Sequence, residues 1–107
     1  MKLYLSGKIT GFDFFKETFA IARRQLESSG YEVCDPATFE LPEGVAWTDA
    51  MKYDIQKMLQ CDGVATLDNW QDSTGARIEV RLARNLGMPV FSVTKWITQA
   101  DETPANS

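Results

Sequence analysis

Four short apolar stretches, separated by helical patterns and closed by turn residues, constrain this chain more than any other feature. KLYLSG (residues 2–7) reads as a buried strand broken by Gly7. After the turn KITGFD, residues 14–29 place Phe15, Phe19, Ala22 and Leu26 at helical spacing, with Gly30 as the stop. YEVCD (31–35) is a second strand ended by Pro36. A loop rich in turn residues follows, and Thr48 is positioned to cap a helix running to about Gln60, with Met51, Ile55, Met58 and Leu59 on its apolar side. DGVATLDN (62–69) is a third strand, residues 75–86 a third helix closed by Gly87 and Pro89, and PVFSVT (89–94) a fourth strand. The order βαβαβαβ predicts a three-layer α/β fold of the flavodoxin or Rossmann type, with a parallel four-stranded sheet and helices on both faces. The simplest strand order is 2-1-3-4. Residues 1–94 are expected to form one domain and 95–107 a polar, frayed C-terminal tail.

That strand order reverses direction between the first and third strands, and ligands of such sheets bind beyond the carboxyl ends of the strands at this point. Two loops converge there. SGKITG contributes Ser6, Gly7, Lys8, Ile9 and Gly11, and DNWQDSTG contributes Asp68, Trp70, Ser73, Thr74 and Gly75. The glycines permit close backbone approach and Lys8 brings a cation. Ser73-Thr74-Gly75 has two readings. Ser and Thr are preferred helix N-caps whatever the function, yet a helix start also offers unpaired N–H groups and a partial positive charge to a phosphate. Glu79, one turn into the same helix, lies beside the row Ala76, Val80, Ala83 and Gly87, whereas Arg77, Arg81 and Arg84 make part of that helix wet. It is read either as a surface glutamate or as a carboxylate aimed into the crevice. Asp54 lies among Met51, Ile55 and Met58, a less ordinary setting for a carboxylate. Asp62 reads as a helix terminator. Phe12, Phe14 and Trp70 are candidates either to stack on a base or to cover the core.

Composition narrows the chemistry. The chain has 107 residues and no histidine, which removes the commonest general base, histidine-based triads and most zinc sites. Cys34 and Cys61 fit no metal or redox spacing. No metal and no cofactor are therefore expected. A net charge of −4 argues against a broad nucleic-acid surface, although a small anion can still bind through amides and a local cation. No apolar run approaches the ~20 residues that span a bilayer, and the first one stops at Ser6-Gly7, too early for a signal peptide. A cytoplasmic location is expected.

Taken in order, YLSGKITG and QCDGVATLDNWQDSTGARIE resemble the nucleoside 2-deoxyribosyltransferase superfamily, nearest to a branch of small phage and bacterial domains of unknown function. The similarity spans roughly residues 2–93 and extends to the 2′-deoxynucleoside 5′-phosphate N-hydrolases. It implies that SGKITG contacts the nucleotide and that Glu79, matching the glutamate of a Gly-x-Gly-x-Glu-x-Gly pattern, attacks the anomeric carbon. It also implies that Ser73, six residues earlier, holds the 5′-phosphate, and that Asp54 assists protonation of the leaving base. The chain departs from the pattern at Arg77 and Arg81, which replace small residues on either side of the glutamate, and at Lys8, more usually proline in the small-domain branch.

The expected function is cleavage or exchange of the N-glycosidic bond of a (deoxy)nucleoside 5′-monophosphate, with Glu79 kept ionised by the helix N-terminus. The alternative is a nucleotide-binding module without turnover. A homodimer or higher homo-oligomer is expected, since a small four-stranded sheet leaves edges uncovered. Phe39, Trp47 and Trp96 are its interface candidates, with an ordinary core role as an equal reading.

Overall fold

Alternation within the first strand sets the layers of the molecule, a computed structural model that describes residues 1–102. In β1 (Lys2–Ser6) side chains alternate between the faces of the sheet, so Leu3 and Leu5 share one face and Tyr4 and Ser6 the other; all four are buried. Three further strands, β2 (Glu32–Cys34), β3 (Gly63–Thr66) and β4 (Val90–Ser92), complete one sheet in the order β2-β1-β3-β4. Every pairing is parallel; Tyr4 aligns with Cys34 on one side and Val64 on the other. The expected fold class and strand order are both present.

Two helices cover each face. On the Leu3 and Leu5 side, α1 (Phe15–Ser28) buries Phe19, Ala22 and Leu26 against Ala65, Leu67, Val93 and Trp96. On the Tyr4 side, α2 (Trp47–Leu59) and α3 (Thr74–Asn85) bury Met58 and Ala83 against Tyr4, Cys61 and Val64. Two glycines set close approaches here. A Cβ on Gly7 would lie 2.6 Å from Cδ1 of Leu67, so the end of β1 can lie against the end of β3 only without a side chain at this position. A Cβ on Gly75 would come 3.0 Å from Sδ of Met51, which brings the start of α3 against α2.

The structure corrects the C-terminal expectation. Val93–Glu102 is a helix, α4, where a polar tail was expected from residue 95; residues 103–107 lie outside the described residues. Val93, Trp96 and Ile97 fall at i, i+3 and i+4 and pack on the α1 side. Trp96 is buried, and its indole N–H donates to the Val64 carbonyl at 2.9 Å. Of the two readings of Trp96, the core one holds. The cap of α2 also differs. The backbone is extended at Ala46 (φ −66°, ψ 144°) and the helix begins at Trp47, so Thr48 falls inside the first turn and caps nothing. Asp62 accepts a bond from the backbone N–H of Lys2 at 2.7 Å, tying the entry to β3 onto the start of β1. Among the described residues no helix is long and apolar enough to cross a membrane.

Candidate active site at the carboxyl ends of the strands

Glu79 is built into the molecule from both sides. On α3 the buried positions are Ala76, Glu79, Val80 and Ala83, a single inward stripe at i, i+3, i+4 and i+7. Glu79 therefore belongs to the apolar row rather than lying beside it, and it is 5% exposed. Facing it, the two-residue period of β1 presents two buried hydroxyls, those of Tyr4 and Ser6, on one face. The Tyr4 hydroxyl donates to Oε2 of Glu79 at 2.7 Å, and the Ser6 hydroxyl donates to Oε1 at 2.8 Å. Each carboxylate oxygen keeps a further lone pair for another partner.

Burial dominates the electrostatics of this trio. Loss of solvent pushes Glu79 from 4.5 up to about 7; the bonds from Tyr4 and Ser6 pull it back, and the charge of Asp54 pushes it up again. The helix N-terminus thus does not keep Glu79 fully ionised at neutral pH, contrary to the expectation from sequence, because desolvation outweighs it. Burial and the neighbouring Glu79 hold the Tyr4 phenol well above its usual range, so it remains a hydrogen-bond donor throughout. Desolvation also pushes Asp54 up to about 6. Both carboxyl groups are poised to exchange protons near neutrality.

Both face a cavity of about 740 Å³ at the carboxyl ends of the strands. Gly7, Lys8 and Ile9 line it from the loop after β1, and Ser73, Thr74 and Gly75 from the start of α3. The structure thus brings together Glu79, Asp54 and six of the loop residues singled out in the sequence. Ser6 lies beneath, reaching the site through Glu79. Three candidates lie elsewhere. Asp68 opens on a shallower hollow on the α1 side, shared with Thr18 and Thr94. Trp70 is turned by the short 3-10 segment Trp70–Asp72 to lie under the Arg84 guanidinium, 5.8 Å from the ring centre. Gly11 forms a left-handed turn (φ 75°) away from the cavity lining. Nor do Phe12 and Phe14 line it; they pair edge to face at 6.4 Å, and Phe14 is 67% exposed.

Ser73 serves the structure as well as any ligand. Its Oγ accepts from the Ala76 N–H at 3.1 Å and caps α3. That leaves the amides of Thr74 and Gly75, at the point where a helix has no carbonyl behind its N–H groups. Arg77 reaches back to the Thr74 hydroxyl at 3.4 Å, so one of the two arginines flanking Glu79 stands at this turn as a cation. Asp72 brings a carboxylate to the same cavity, opposed by Lys8 and Lys16.

Four contributors escaped the sequence reading. Tyr4 looks like ordinary strand core, although its alternation with Leu3 and Leu5 places it on the face of Ser6. Phe39 and Trp47, read as interface or core residues, line the cavity, and Lys16 joins them from the first turn of α1.

A family model for a domain of unknown function matches residues 1–92, the whole of the sheet and three of its four helices. No curated protein and no solved structure matches the chain.

Proposed function

The chain belongs to the DUF4406 family, and from that premise we propose that it is a nucleotide-processing enzyme related to the nucleoside 2-deoxyribosyltransferases, which cleaves or exchanges the N-glycosidic bond of (deoxy)nucleoside 5′-monophosphates. The observation that carries the reading is Glu79: a buried carboxylate oriented by two hydroxyls, at the floor of a cavity that also holds a second carboxyl with a raised pKa. A structural glutamate gains nothing from such burial, whereas a nucleophile needs a fixed and poorly solvated carboxylate.

In this mechanism one Glu79 oxygen attacks C1′ of the sugar, the C1′–N bond breaks, and the bonding pair leaves with the base. Asp54 delivers its proton to the departing nitrogen. Water then attacks C1′ and gives its proton to Asp54, while the C1′–O bond to Glu79 breaks and its electron pair returns to the carboxylate. This releases the sugar phosphate and makes a hydrolase; a second base attacking in the same way, its N–H proton passing to Asp54, makes a transferase. Tyr4 and Ser6 hold the carboxylate in place. The amides of Thr74 and Gly75, with Lys8 and Arg77 as nearby cations, take the 5′-phosphate.

One observation favours a second reading, a module that binds a nucleotide without turnover. With a pKa of about 7, much of Glu79 is protonated at neutral pH and both of its oxygens already accept hydrogen bonds. A panel of deoxyribo- and ribonucleoside 5′-monophosphates, incubated with the protein and assayed for free base, separates the two. Release of base from at least one supports the enzyme; nucleotides that raise the melting temperature yet stay intact support the module.

Self-association in a cytoplasmic setting belongs to the same proposal. Leu59 on α2 and Ile78 and Leu86 on α3 stand exposed on the two helices that cover the Tyr4 face, and an apolar surface of this kind suits a second copy of the chain. Light scattering at micromolar concentration is expected to give at least twice the 12.0 kDa of the chain; a monomer at that concentration rejects the dimer.

A further inference from the structure

We propose that Trp47 is a specificity-determining residue, holding the far ring of a purine and leaving a pyrimidine untouched. The inference deepens the nucleotide reading and rests on it. Trp47, Met51 and Asp54 all line the cavity from α2, at i, i+4 and i+7, and so share one face of that helix. Asp54 sits at one end of this row and Trp47 at the other. At 1.5 Å per residue, the seven-residue step from one to the other spans about 10 Å.

The wall along that row carries little in-plane chemistry. Phe39 and Leu41 join Met51 and Trp47 around the cavity, and the indole N–H is the only conventional hydrogen-bond donor among these four side chains. Phe39 is itself braced edge to face by Tyr53, their ring centres 5.2 Å apart. Such a surface accepts any flat heteroaromatic ring by its faces and does not discriminate between exocyclic amino and oxo groups, because reading those groups requires buried donors and acceptors. Length is what it can measure.

The geometry follows from the chemistry at C1′. The nitrogen that leaves the sugar must lie near Glu79 and Asp54, so the base extends from that end of the row. A single-ring pyrimidine ends over Met51. A two-ring purine reaches one ring further, toward Trp47. The indole is 45% exposed and stands at the first residue of α2, where it can settle on that outer ring at small conformational cost.

The test compares binding of dAMP, dGMP, dCMP and 2-deoxyribose 5-phosphate to the parent, Trp47→Ala and Trp47→Phe by calorimetry. Trp47→Ala is expected to weaken both purine nucleotides about tenfold, the scale of one base–aromatic stack, and similarly, while dCMP and the base-free sugar phosphate change less than about twofold. Trp47→Phe retains most of the purine affinity. Because the side chain is half exposed, truncation leaves the core intact, and unchanged circular dichroism and sugar-phosphate binding verify the fold. Equal weakening of purine and pyrimidine, a wide split between dAMP and dGMP, or no loss in Trp47→Ala overturns the proposal while nucleotide binding itself stands. A parent that binds the sugar phosphate and no nucleotide also overturns it, and a parent that binds none of the four removes the nucleotide reading along with it.

Discussion

At pH 8, Glu79→Gln is expected to unfold at a temperature more than 10 °C above the parent. Glu79 titrates at about 7 in the folded protein against 4.5 for an ordinary glutamate. A group whose folded pKa is raised binds its proton more tightly in the native state, so stability falls as pH rises through the interval between the two values. The loss begins near pH 4.5 and is complete above about pH 7. Its size at pH 8 is roughly 3 kcal/mol, which for a domain of this length corresponds to a double-digit shift in melting temperature. Glutamine removes the charge and keeps the shape. Its carbonyl accepts from one of the two hydroxyls, and its amide donates to the oxygen of the other, so Tyr4 and Ser6 both remain partnered. Thermal melts of parent and variant between pH 4 and pH 8 test this. The curves should converge at pH 4 and diverge steadily above it; a parent as stable at pH 8 as the variant would show that Glu79 carries no such burden.

The same substitution should abolish chemistry. If Glu79 is the nucleophile, Glu79→Gln and Glu79→Ala each reduce base release by at least about a thousandfold, the scale on which loss of a covalent nucleophile is felt. Nucleotide affinity falls only modestly, because phosphate and base contacts dominate the ground state and the carboxylate acts chiefly in the transition state. Ser73→Ala behaves in the opposite way. It removes the cap of α3, at a cost of about 1 kcal/mol, and raises KM more than it lowers kcat. The pH profile carries a further signature. Glu79 must be ionised and Asp54 protonated, yet the nucleophile titrates at about 7 and the acid at about 6. Midway between, each group is in its working form about a quarter of the time, so roughly one molecule in twenty is competent. A bell-shaped profile centred between pH 6 and 7 is expected, with apparent values that belong to the pair. Undiminished turnover in either Glu79 variant rejects the assignment.

The parts of this molecule that periodicity controls were legible in its sequence. Strand-length apolar runs and the 3.6-residue stripes of the first three helices require a layered α/β arrangement, and short connections leave few strand orders. α4 escaped because its four apolar positions, Val93, Trp96, Ile97 and Ala100, are interspersed in a run of Thr, Lys, Gln and Asp and the first was read as strand. Its docking rests on Trp96 bonding to β3, a contact no local pattern reveals. In the site, Asp54, Ser73 and Glu79 stood out as candidates from their neighbours and their place against the strand order, each beside an ordinary structural reading, and their roles came from the family resemblance. Asp68 and Trp70 do not line the cavity, because proximity to a strand end does not say which way a loop turns; Asp68 faces the α1-side hollow, and Trp70 lies in the 3-10 segment that follows. Phe39 comes from a loop, and Trp47 from the helix start that follows it, and the path of that segment over the cavity is set by tertiary packing. Tyr4 had a signal, its two-residue offset from Ser6, but the partner that gives the offset meaning lies 75 residues along the chain.

The two faces of the sheet divide the work of the molecule in a way that bears on its engineering. Phe19, Leu26, Val93 and Trp96, which anchor α1 and α4, touch no part of the cavity, whereas the opposite face carries Tyr4, Ser6 and Glu79 in its packing. Substitutions at these four positions therefore alter the stability margin without reshaping the cavity. Leu5, Ile9, Phe15 and Ala37, by contrast, belong to or pack on the same cluster and line the cavity, and a change at Tyr4, Ser6 or Glu79 alters both together. A fortified background for carrying damaging cavity variants can be assembled at Phe19, Leu26, Val93 and Trp96, leaving the cavity free to diverge toward other ligands.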